Sequence, residues 1–116
     1  MHNYKEMKIW QKARTLVKAV YEITEKLPKD ELYGLTSQIR RAVVSVPANI
    51  AEGAGRGTDR DFGHFLNIAR GSLFELDTLL ILAKDLEYIS ESELGTVSEM
   101  ISEIIKMMVS FQNRLV

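Results

Sequence analysis

Apolar side chains return at steps of three and four along nearly the whole chain, in four blocks broken by short polar or glycine-rich links. The first block, about residues 7–27, carries Trp10, Ala13, Val17, Val20, Thr24 and Leu27, then meets Pro28 and the turn-rich link KDELYG. The second, about 36–54, aligns Ile39, Val43, Val46 and Ile50; Thr36 is its expected N-cap, and it fades at Gly53, Gly55 and Gly57. The third, about 59–87, opens with Thr58 and Asp61 in an N-cap arrangement and carries Phe62, Phe65, Leu66, Ala69, Leu73, Leu76, Leu80 and Ala83. Ser90 and Glu93 form a capping box for the fourth, about 91–115. Nothing alternates with period two over a useful length, so the pattern predicts a single all-α domain of four helices over residues 1–116.

The fourth block is the most regular, with Leu94, Val97, Ile101, Ile104, Met108, Phe111 and Leu115 in strict three-four succession. Met100, Ile105, Met107 and Val109 add apolar surface outside that seam. A wide core face would use them, but a subunit interface is the expectation that accounts for their number.

Residues 38–56, QIRRAVVSVPANIAEGAGR, hold a second stripe that is polar: Arg41, Ser45, Asn49, Glu52 and Arg56 recur at four, four, three and four. Pro47 interrupts the same helix, removing one backbone donor at a cost of about 3 kcal/mol. If helices two and three run antiparallel about Gly55–Gly57, positions summing to about 115 lie opposite each other, which sets Arg41 near Glu75 and Ser45 near Arg70. Arg41, Ser45, Asn49, Glu52, Arg70 and Glu75 are therefore expected to form a polar network that fixes register, in preference to a ligand site. Gly71, inside the third helix, suggests close approach of a neighbouring backbone.

Composition narrows the chemistry. There is no cysteine, which excludes disulfides and thiolate metal sites and permits a cytoplasmic setting; no apolar run nears the ~20 residues of a membrane span, and the N-terminus lacks a signal-peptide pattern. The net charge of −1 conceals an asymmetry, +4 over residues 1–70 against −5 over 71–116. Gly53-Ala54-Gly55-Arg56-Gly57 is not a dinucleotide fingerprint, because no strand precedes it. The free N–H groups of the next helix, flanked by Arg56 and Arg60, offer a place for a phosphate; the alternative is that the glycines only cap and turn the chain. His2 and His64 stand alone, no Glu-x-x-His occurs, and no nucleophile has a His–acid relay, so neither enzyme activity, a cofactor nor a metal site is expected.

Trp10-Gln11-Lys12-Ala13-Arg14, Tyr33-Gly34-Leu35, the 38–56 run and Phe65-Leu66-Asn67-Ile68-Ala69-Arg70-Gly71-Ser72-Leu73-Phe74-Glu75-Leu76 together closely resemble one bacterial family. These are the four-helix-bundle proteins encoded in intervening sequences of large-subunit (23S) ribosomal RNA genes. The chain is also similar to the accessory variability protein of diversity-generating retroelements. The resemblance implies an antiparallel up-down-up-down bundle that assembles with itself into a ring, a homopentamer, with nucleic acid as a partner. On that basis the chain is expected to bind RNA or DNA through Lys8, Lys12, Arg14, Lys18, Arg56 and Arg60. The alternative is a protein–protein scaffold that binds no nucleic acid.

Overall fold

The computed structural model describes residues 2–115, and these contain four long helices, two single 3-10 turns and no strand. The helices are α1 (Lys8–Thr24), α2 (Leu35–Ala54), α3 (Asp59–Asp85) and α4 (Glu91–Leu115). Each helix packs on the next and α4 closes back on α1, with no close backbone approach across either diagonal. The resulting compact body measures 43 × 24 × 20 Å.

Local chemistry explains where the helices begin and end. Thr58 Oγ1 accepts from the Asp61 N–H at 3.1 Å, and Ser90 and Glu93 bond reciprocally at 2.9 and 3.0 Å, so α3 and α4 start where the capping pattern predicts. For α2 the expected cap is corrected. Thr36 is buried inside the first turn, Gly34 is the N-cap residue, and the Glu31 carboxylate accepts from the Leu35 N–H at 3.1 Å. α1 stops at Thr24 because its last turn tightens: Lys26 and Leu27 donate to the carbonyls three residues back.

α3 ends in a Schellman turn, with the Tyr88 N–H reaching the Ala83 carbonyl and the Glu87 N–H the Lys84 carbonyl, both at 2.9 Å. The residue that takes the left-handed conformation there is Glu87, at φ 65°, and not a glycine.

The core is built from the predicted faces of α2 and α3. Ile39, Val43, Val46 and Ile50 are fully enclosed, as are Leu66, Ala69, Leu73, Leu76, Leu80 and Ala83. Burial of each large aliphatic chain contributes about 1.5–3 kcal/mol. In α1 the enclosed residues are Ile9, Ala13, Leu16, Val20 and Thr24, while Trp10 and Val17 lie half-buried at the edge. α2 continues through Pro47, which leaves the Val43 carbonyl without its usual donor, and Asn49 Nδ2 donates to the Ser45 carbonyl at 2.8 Å within the same turn.

At Gly53 the backbone of α2 lies close against α3. A β-carbon there would stand 2.8 Å from both Phe62 Cδ1 and Phe65 Cβ. Gly71 does not serve that purpose: no atom lies within 4 Å of the position its β-carbon would take, because residue 71 points away from the bundle.

Candidate nucleic-acid interface

Five of the six basic residues singled out from the sequence fall into two groups, and the sixth, Lys12, faces Glu103 on α4. Arg14 and Lys18, one turn apart on the outer side of α1, border a shallow hollow with Gln11, Thr15 and Val17. The Arg14 guanidinium lies 5.5 Å from the centre of the Trp10 ring, which holds it against the helix while leaving its N–H groups outward. Lys8, Arg56 and Arg60 sit at the end of the molecule where α1 starts, α2 ends and α3 starts. His2 ties that end together: its N–H donates to the Ala54 carbonyl at 3.1 Å, and its ring faces Asp59, Phe62 and Phe111.

Two of the six are already engaged. Lys12 pairs with Glu103 at 3.0 Å, and Arg56 pairs with Glu52 at 2.8 Å while lying 4.6 Å from the Phe65 ring centre. Lys8, Arg14, Lys18 and Arg60 make no ion pair among the described residues. The same basic end gains two cations that the sequence reading passed over, Lys5 beside Tyr4 and Arg114 beside Phe111. Their signal was weak because each stands alone in the sequence, and folding brings the chain ends together.

Charge is therefore sorted along the long axis. Residues 21–38 and 77–97, which form the opposite end, carry 3 Lys/Arg against 9 Asp/Glu, a net −6; the rest of the chain is +5. The Tyr88–Glu31 and Lys26–Glu93 contacts gather these acidic segments at one end of the molecule, and the balancing positive charge is spread over the rest of its surface.

The polar stripe of α2 is arranged differently from the expectation. Ser45 Oγ donates to Ser72 Oγ, and Arg70 turns the other way, to Gln112 Oε1 at 3.2 Å and Asn67 Oδ1 at 3.4 Å on the α4 side. The register of α2 against α3 thus sums to 117 at Ser45, which moves Arg70 around the helix toward α4. Arg41 and Glu75 border one hollow with Gln38, Ala42 and Ser45, yet they form no ion pair. Asn49 bonds within α2, and Glu52 accepts from Arg56 in the link that follows it. The six residues do not make one network; Gln112, Asn67 and Ser72, which do hold neighbouring helices, were not anticipated.

The apolar surplus is likewise redistributed. Met100, Ile105 and Met107 are half-buried against the core, because α4 sits in a wide groove between α1 and α3; of the four expected interface residues only Val109 is exposed. Exposed apolar surface lies instead on α3 at Ile68, Phe74, Ile81 and Leu82, at Leu86 just beyond it, and around Tyr21, Leu32, Tyr33 and Val44.

Among the described residues no group of His, Asp and Glu is placed to hold a metal ion, and no helix is long and apolar enough to cross a membrane.

Residues 5–110 match the family model described as 23S rRNA-intervening sequence protein. The chain belongs to that family. Its fold is shared with a solved structure, a protein of unknown function from the S23 ribosomal protein family of Bacteroides thetaiotaomicron VPI-5482. That protein is 25% identical, with a TM-score of 0.83 over 90% of this chain and 97% of the other. No curated protein matches the chain. The 23S rRNA-intervening sequence protein family model takes in α1, α2 and α3 whole and most of α4, so the charge sorting and the Gly53 contact both lie within the matched region.

Proposed function

We propose that this 23S rRNA-intervening sequence protein is a non-enzymatic, cytoplasmic bundle that binds RNA or DNA phosphates through its basic end and the outer side of α1. The observation that carries the reading is that Lys8, Arg14, Lys18 and Arg60 are free of ion pairs among the described residues and lie on the +5 portion of a molecule whose remaining segments are −6. A polyanion is repelled by the acidic end and attracted to the free cations elsewhere, which gives orientation as well as affinity.

The helices are read as an up-down-up-down antiparallel bundle. Ser45–Ser72 with Gly53–Phe62, Asp77–Ser98 with Arg70–Gln112, and Lys12–Glu103 with Lys26–Glu93 support this, since the numbers rise on one side of each pair as they fall on the other. The bundle is proposed to assemble into a ring, a pentamer, in which several copies of a weak basic surface act together.

Binding of a fluorescent RNA or DNA oligonucleotide, measured across a salt series, tests the reading. The affinity of the native chain should fall steeply with salt, and the double reversal Arg14→Glu/Lys18→Glu should weaken binding and flatten the slope without changing helicity. Absence of binding at low salt sinks it.

A second reading, a protein–protein assembly module without nucleic acid, is favoured by the apolar residues exposed on α3, of which Phe74 is 56% exposed. Oligomerisation that persists while both nucleic acids are ignored selects it.

A further inference from the structure

A hollow of about 560 Å³ lies where the second half of α1 meets the first half of α2. Its apolar lining is exposed: Tyr21, Leu32, Tyr33 and Val44 all border it, and Tyr33 is 94% exposed despite standing in an ordered link. Two arginines and no carboxylate complete the charged part of the lining. Arg40 is committed within the chain, with Nε donating to Thr24 Oγ1 at 3.0 Å and its guanidinium 4.5 Å from the Tyr21 ring centre. Arg41 has no hydrogen bond or ion pair among the described residues. The complement of such a surface is an apolar knob that carries a carboxylate.

The chain presents a knob of that kind at the end of α3. Leu82 and Leu86, one helical turn apart, are 45% and 55% exposed, and Leu86 is flanked by Asp85 and Glu87. Glu87 occupies the left-handed position of the Schellman turn at φ 65°, which glycine adopts without steric cost. Its carboxylate has no hydrogen bond or ion pair among the described residues. A charged side chain kept at a glycine-favouring position, with nothing inside the molecule to bind, points to a cation outside it.

Knob and hollow share one end of the molecule. Tyr88, next after Glu87, donates its hydroxyl to Glu31 at 3.0 Å, and Glu31 immediately precedes Leu32 of the hollow. The Tyr88–Glu31 hydrogen bond sets them at a similar height. Copies related by rotation about an axis parallel to their own need such a pair, since the contact joins unlike patches at one level.

We propose that the Leu82–Leu86–Glu87 knob of one copy docks in the hollow of the next, with Leu86 against Tyr33 and Val44 and the Glu87 carboxylate on Arg41. The proposal rests on the homo-oligomeric reading above and names its interface.

The experiment is a reciprocal charge swap in the full chain, read by sedimentation equilibrium over a concentration series, with circular dichroism to verify folding. Arg41→Glu and Glu87→Arg, each alone, should raise the dissociation constant by about tenfold or more, and the double variant should recover most of that loss. Leu86→Asp should dissociate the assembly without a rescuing partner. Native chain that oligomerises but ignores both single reversals overturns this interface and leaves the oligomeric reading intact. A native chain that is monomeric at every concentration overturns both. A labelled oligo-dT provides the remaining arm: loss of its binding in Tyr33→Ala, with mass unchanged, would make the hollow a base-stacking site and overturn the self-docking assignment.

Discussion

Gly53 stands so close to Phe62 that a single added methyl group would fall 2.8 Å from the phenylalanine ring. The Phe65 β-carbon, equally near, belongs to the helix itself and cannot swing aside. Gly53→Ala is therefore expected to destabilise the fold by about 1–3 kcal/mol, outweighing the gain of about 1 kcal/mol in helix propensity. Chemical denaturation of the two proteins checks it.

Gly71→Ala should have the opposite sign. Its β-carbon enters open space in the middle of a 27-residue helix, so only propensity acts, and stability should rise by about 0.5–1 kcal/mol. Equal signs for the two substitutions would contradict the packing described.

Glu93 links helix capping to pH. The Lys26 ammonium bonded to its carboxylate, helped by the Ser90 backbone N–H, holds it below the ordinary carboxylate range. A carboxyl group depressed in the folded state contributes stability above its unfolded pKa, and that contribution is lost as pH falls through the folded value. Thermal melts of the native chain should weaken from about pH 4 downward, and Glu93→Gln should flatten that limb. Ser90→Ala should cost about 1 kcal/mol at neutral pH through loss of the cap.

Arg41 and Glu75 share a hollow without pairing, so removing either should matter little. Arg41→Ala and Glu75→Ala are each expected within about 0.5 kcal/mol of the native chain in stability, and their effects should add. This departs from the register-fixing network expected from the sequence for Arg41 and Glu75. A coupling above about 1 kcal/mol in the double-mutant cycle would restore the ion pair.

The number of helices and the inner faces of α2 and α3 were legible because period, caps and glycine link all pointed the same way. The second helix cap was not, since Glu31 acts across a turn and a threonine in the right place imitated it. Lateral polar contacts were harder still. A shift of two in the summed register turns Arg70 from α2 toward Gln112, and nothing in a single sequence sets that sum. The methionines of α4 show a related limit: apolar surplus announces burial without saying whether a core or a partner supplies it, and half-burial against the core leaves part of each for either.

Acidic groups gathered at one end, with the balancing positive charge on the rest of the body, make the molecule electrically asymmetric. Near a negatively charged surface it would experience a torque before any contact, arriving basic end first with the acidic end trailing into solvent. If copies stand side by side in register, their dipoles add, and the assembly acquires two dissimilar faces. Such a disc would bind a polyanion on one side only, and two discs would attract each other face to back, so low salt should promote stacking as well as binding.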